Sequence, residues 1–141
     1  MLKRLSLLMA LSFSFMQAGA QLFAITVIVT SLTSNQPDSL SMLEGEYGYD
    51  SSPFWETFPN ITTLFLIVAL IANWKTSNRK YLLVGFGLFI TGALYSIVIL
   101  GPASESHASN WLMLDWILFA ITILSCISLI IPFFKTTYSN P

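Results

Sequence analysis

Charge is scarce in this chain. Lys and Arg together number 6 and Asp and Glu 7 among 141 residues, so 9% of positions are charged, against about 25% in ordinary globular domains. With 55% hydrophobic residues and a mean hydropathy of +0.71, a water-soluble fold would have to expose large apolar patches, which monomers rarely do. Lipid is therefore the expected solvent. The few basic residues form no cluster able to neutralise several phosphates, which excludes nucleic acid as a partner, and the apolar content excludes disorder. Cys126 is the single cysteine, which excludes an intramolecular disulfide and a Cys-based zinc site. The chain also lacks a Gly-rich phosphate loop, paired histidines of a haem or di-iron bundle, and a nucleophile–His–acid set. No cofactor and no metal are expected from it.

What is present in quantity is long apolar sequence. Four runs approach or exceed the length of about 20 helical residues that a hydrocarbon core requires: Leu5–Leu32, Phe58–Trp74, Tyr81–Leu100 and Trp111–Phe134. In lipid such runs must be helical, because only a helix satisfies its own backbone groups. The expected fold class is all-α, a single four-helix transmembrane bundle over residues 1–141. The basic residues sort cleanly. Lys3 and Arg4 precede the first run, Lys75, Arg79 and Lys80 join the second to the third, and Lys135 follows the fourth. All lie on one side of a four-pass chain. Asp38, Glu44, Glu46, Asp50, Glu56 and Glu105 fall on the other. The basic bias places both termini in the cytoplasm, an N-in/C-in topology in a bacterial inner membrane. Trp55 and Trp111 mark the outer border and Trp74 and Tyr81 the inner one, where amphipathic rings prefer to sit.

The N-terminus admits two readings. Lys3-Arg4, an apolar stretch and Ala18-Gly19-Ala20 resemble a cleavable signal. Removal would leave a stub from Leu22 to Leu32 too short to span, so retention as an anchor helix is the simpler topology. No repeat, heptad series or low-complexity tract interrupts the pattern. The connection Lys75–Lys80 is short enough to make the second and third helices antiparallel neighbours. The first outer loop, Thr33 to Thr57, is 25 residues long and acidic-aromatic in its second half.

Asp115 is the most informative residue. It lies about 6 Å deeper than Trp111 at 1.5 Å per residue, and an ionisable group at such depth marks a functional site by default. The basic residues are expected on the opposite face, so its partners are sought among Tyr95 and Ser96 late in the third helix, Asn60 and Thr62 early in the second, and His107 above. The alternative is a carboxylate turned to headgroup water. Ser14, Gln17 and Gln21 share one face of the first helix at spacings of three and four, and glutamines in a membrane commonly bond neighbouring helices. Gly85, Gly92 and Ser96 form a small-residue stripe that permits close helix packing. Cys126 reads as a small buried hydrophobe. The candidate cavity is therefore Asp115, Tyr95 and Ser96, with Asn60 and Thr62 as wall, Gln21 as floor and the His107 loop as lid.

A polar-aromatic segment leading through Pro59 into the second helix, a third helix ending at Gly101-Pro102, and a fourth opening with Trp111 and Asp115 together resemble the anthrone-oxygenase-like family of small four-helix membrane proteins. Family members often carry an Asn after the helix-three Pro and an Arg early in helix four. This chain has Ser104 after Pro102 and no Arg in its fourth helix. The resemblance implies a four-helix bundle and a cofactor-independent enzyme acting on a lipophilic aromatic substrate. The residues themselves favour a non-enzymatic accessory protein or a binder of a lipophilic small molecule. Besides the bilayer, the partners this leaves are a lipophilic small molecule, another membrane protein or a second copy of the chain.

Overall fold

A computed structural model of the chain describes residues 2–36, 38–43, 52–106 and 109–138. Four helices dominate it: α1 (Leu2–Ser34), α2 (Ser52–Ala72), α3 (Arg79–Glu105) and α4 (Trp111–Tyr138). Each is long and apolar enough to cross a membrane. Their outward faces carry bare aliphatic side chains, Ile71 at 70% and Ile97 at 72% exposed among them, as befits a lipid-facing surface. The protein is a small integral membrane protein built as a four-helix bundle.

The helices outrun the apolar segments. The expected loop from Thr33 to Thr57 is shorter at both ends, since α1 continues to Ser34 and α2 begins at Ser52. Backbone bonding rather than lipid contact decides where a helix stops. Pro53 occupies the first turn of α2, where its missing N–H is no loss, and Ser39 Oγ donates to the Leu32 carbonyl at 2.6 Å near the end of α1. A short 3₁₀ turn, Asp38–Leu43, lies between. The acidic-aromatic stretch at 44–51, with Glu44, Glu46 and Asp50, lies outside the described residues, as does His107. At the other end α2 stops at Ala72 rather than at Trp74: the Trp74 N–H bonds the Ile71 carbonyl only three residues back, at 3.2 Å, while Asn73 Nδ2 donates to the Ala69 carbonyl at 2.9 Å.

The chain runs up and down. Leu7, Leu66, Leu82 and Leu129 belong to one buried cluster, which brings together the start of α1, the end of α2, the start of α3 and the end of α4. Asn78 Nδ2 reaches the Pro132 carbonyl at 3.4 Å and Lys135 Nζ the Tyr81 hydroxyl at 3.1 Å, tying the α2–α3 turn to α4. The six basic residues consequently gather at this end of the bundle. Here α1 packs on α2 and α4, and α3 packs mainly on α4, while α2 and α3 touch less.

Close α3–α4 packing depends on the small-residue stripe. A Cβ on Gly85 would meet Leu129 Cδ2 at 3.0 Å, and one on Gly92 would meet Leu118 Cδ1 at 3.3 Å. Ser125 Oγ takes advantage of the proximity and donates to the Gly85 carbonyl at 2.8 Å. Gly87, off the stripe, has nothing near it.

Candidate functional site

The end of the bundle opposite the basic residues is not filled by side chains. A cavity of about 670 Å³ lies among the second halves of α1 and α3 and the first halves of α2 and α4, within the range of about 300–1,000 Å³ usual for small-molecule sites. Apolar groups such as Ile28, Leu88, Phe89 and Leu118 make up much of its wall. Polar atoms enter at a few places: Gln17 and Gln21 from α1, Asn60 from α2, Ser96 from α3, and Asp115 and Thr122 from α4.

Local backbone geometry shapes this wall. Two π-helical segments flank it, Ala24–Val29 in α1 and Ser96–Leu100 in α3. In the first, Thr30 Oγ1 donates to the Ile25 carbonyl five residues back, at 2.8 Å. In the second, the Gly101 N–H bonds the Ser96 carbonyl, also five back. Pro102 follows, and an α-turn would press its ring against the carbonyl of Val98. The wider turn relieves that contact. Single π turns of this kind occur disproportionately at functional sites, and Ala24, Ile28, Ser96 and Ile97 from these two segments line the cavity.

The α4 wall follows from one periodicity. Trp111, Asp115, Leu118 and Thr122 recur at spacings of four, three and four, one face of a helix, and all four line the cavity. Asp115 is buried, at 8% exposure, and is hydrogen-bonded by the side chain of Trp111, whose indole N–H is its one side-chain donor. The bonding partner is thus a residue one turn earlier on the same helix. It was not among the partners expected from the sequence, although an i, i+4 pair is the nearest contact a helix offers.

Gln21 forms the floor on the α1 side, 4% exposed. Its Oε1 receives the Thr122 hydroxyl at 2.9 Å. Its Nε2 is buried without a hydrogen-bond partner, and so is Gln17 Oε1 one turn away. Both residues line the cavity, and each keeps one buried amide atom unmatched just behind its wall. Buried polar groups left unpaired are rare in folded proteins. Ser14, the third member of the stripe, is satisfied by the Ala10 carbonyl at 2.8 Å.

Of the residues singled out in the sequence, Asp115, Ser96, Gln21 and Asn60 are brought together on the cavity. Asn60 donates through Nδ2 to the Glu56 carbonyl at 2.6 Å. Tyr95 and Thr62 stand elsewhere. The Tyr95 hydroxyl donates to the Leu114 carbonyl at 3.2 Å, a tie between α3 and α4 at the depth of Asp115. Thr62 is fully buried and bonds the Phe58 carbonyl of its own helix at 3.1 Å. Thr122, Glu56, Glu105 and Trp55 also line the cavity without having been anticipated. Thr122 could have been found from its place seven residues beyond Asp115. The other three lie outside the apolar runs, in helical ends that hydropathy assigns to the loops.

Among the described residues no group of three or more His, Cys, Asp or Glu side chains is arranged to hold a metal ion. No family model, curated protein or solved structure matches the chain.

Proposed function

We propose that this integral membrane protein is a non-enzymatic binder of a lipophilic small molecule, held in the cavity at the end of the bundle away from the basic residues. The observation that carries the reading is the pair of unmatched buried amide atoms, Gln17 Oε1 and Gln21 Nε2, just behind the wall of that cavity. A ligand toward which either amide turns recovers a hydrogen bond the folded chain leaves unmade, worth about 1–3 kcal/mol in desolvation. Its apolar body would rest on Phe89 and Leu118. The basic asymmetry supports a cytoplasmic location for both termini, so that the cavity opens on the outer side of a bacterial inner membrane.

The test is to purify the protein in a mild detergent, extract it with organic solvent and identify what co-purifies by mass spectrometry. The expected result is a lipophilic compound retained by the wild type and lost from Gln21→Leu. An empty extract, together with a melting temperature unmoved by a panel of lipophilic compounds, would overturn the reading.

Asp115 favours a second reading, an oxygenase-like enzyme that needs no cofactor and acts on a lipophilic aromatic substrate. A buried carboxyl group on a cavity wall can accept or return a proton in general acid–base work. Turnover of the co-purified compound by the wild type and not by Asp115→Asn would establish it.

A further inference from the structure

Among the described residues, the charges around the cavity are of one sign. Glu56 from α2, Glu105 from α3 and Asp115 from α4 all line it, and α1 contributes only the uncharged Gln17 and Gln21. Every Lys and Arg of the chain sits at the far end of the bundle. Glu56 and Glu105 are exposed at the rim, whereas Asp115 is buried. A carboxylate withdrawn from water is strongly disfavoured unless a positive charge accompanies it. The Trp111 side chain supplies a hydrogen bond but no charge, and the hydrocarbon around the bundle supplies neither. A buried carboxyl is either held neutral by a proton or ionised beside a cation, and among the described residues no Lys or Arg is near enough to be that cation, so a cation in the cavity would complete the pair.

The remaining features select the kind of cation. A small hydrated ion would have to shed water against Phe89, Leu118 and Ile28, which offer nothing in return. An anion would meet three carboxylates. An organic cation with a hydrocarbon body matches both parts of the wall. The indoles of Trp55 and Trp111 line the same space, and aromatic faces attract ammonium groups. Gln17 Oε1, buried without a donor, can accept from an N–H of a protonated amine.

We infer that the cavity takes a lipophilic organic monocation, an amine in its protonated or quaternary form, with the charged end beside Asp115 and the hydrocarbon body in the apolar interior. This rests on the small-molecule reading above and narrows it to a ligand class. Glu56 and Glu105 act at the rim by raising the local concentration of cations, an effect that salt screens. Asp115 makes the ion pair.

The experiment compares three ligands of one shape on the full-length protein in nanodiscs of zwitterionic lipid. They are decyltrimethylammonium, its uncharged carbon isostere 2,2-dimethyldodecane, and decanesulfonate. Binding is read from tryptophan fluorescence, since Trp55 and Trp111 lie in the wall. The ammonium should bind saturably and about tenfold or more tighter than the neutral isostere, and the sulfonate should not bind. Asp115→Asn should remove the preference for the ammonium, with a helical circular dichroism spectrum and a melting temperature close to wild type showing that the variant is folded. The double variant Glu56→Gln/Glu105→Gln should weaken ammonium binding at low salt and converge on wild type at high salt. Equal affinity for ammonium and isostere, or a preference that survives in folded Asp115→Asn, overturns the cation assignment while the small-molecule reading stands. Failure of the ammonium to bind overturns the cation assignment, and the small-molecule reading is then decided by the extraction test above. Should Asp115→Asn fold poorly, the comparison of the three ligands on the wild type still decides.

Discussion

The Thr122 hydroxyl stands 2.9 Å from Gln21 Oε1 and 3.0 Å from the Leu118 carbonyl, and it has a single proton to give. Two acceptors compete for one donor, so the α1–α4 tie at the cavity floor is weaker than an unshared bond. It nonetheless orients the Gln21 amide, whose Nε2 is buried without a hydrogen-bond partner.

Thr122→Val, which removes the hydroxyl and keeps the shape, should therefore destabilise the bundle modestly. Interhelical side-chain bonds in membranes average about 0.6 kcal/mol, and a loss of that order is expected. A double-mutant cycle with Gln21→Leu, followed by unfolding in mixed micelles, should give a coupling of about the same size. The same substitution should weaken ligand binding, because the amide is then free to rotate.

Two glycines on α3 should respond with opposite signs. Gly85→Ala drives a Cβ to 3.0 Å from Leu129 Cδ2, and overpacking of this kind costs about 1–3 kcal/mol. Gly87→Ala projects into open space and should gain up to about 1 kcal/mol from helix propensity. Thermal or denaturant unfolding of the two variants side by side checks the contrast. Similar effects at both positions would contradict the packing.

Cys126 is fully buried. The folded protein should therefore resist a membrane-permeant maleimide over hours, and react fully once unfolded in hot SDS. Intact-mass measurement separates the two. Rapid labelling of the folded protein would place this face of α4 outside the bundle.

Fusions at the C-terminus test the proposed orientation. A reporter that fluoresces only in the cytoplasm should light up, and one active only beyond the membrane should stay silent. The reverse pattern would put the cavity mouth on the cytoplasmic side and exchange the compartment from which a ligand enters.

The four-helix bundle was legible in the sequence because lipid allows little else. Leu5–Leu32, Tyr81–Leu100 and Trp111–Phe134 are apolar for longer than any soluble strand, and a helix is the one open-chain form that closes its own hydrogen bonds there. Helix ends were less legible. Hydropathy reports where the chain meets lipid, but α2 starts at Ser52 and α1 runs to Ser34, set by backbone bonding and by Pro53. The inward face of α1 was visible in the Ser14–Gln17–Gln21 spacing, and Asp115 stood out by its depth alone.

What the tertiary structure decided was pairing. Sequence spacing says that Asp115 and Thr122 share a face of α4; it does not say that this face meets Gln21 across the bundle. Tyr95 and Asp115 lie at one depth, yet the Tyr95 hydroxyl goes to the Leu114 carbonyl, because χ angles and helix rotation place the ring against α4 backbone rather than in the cavity. The two π turns, which depend on Thr30 bonding five residues back and on Pro102 displacing the turn before it, rotate one helix wall by a fraction of a turn each. Periodicity over a window of residues averages such local shifts away. Hydrophobic pattern alone determined that four helices form and that they lie in lipid, since burial of apolar surface needs no particular partner. The cavity and its one-sided charge arose only when particular faces met, since hydrogen bonds and packing depend on angles and distances that a one-dimensional pattern does not contain.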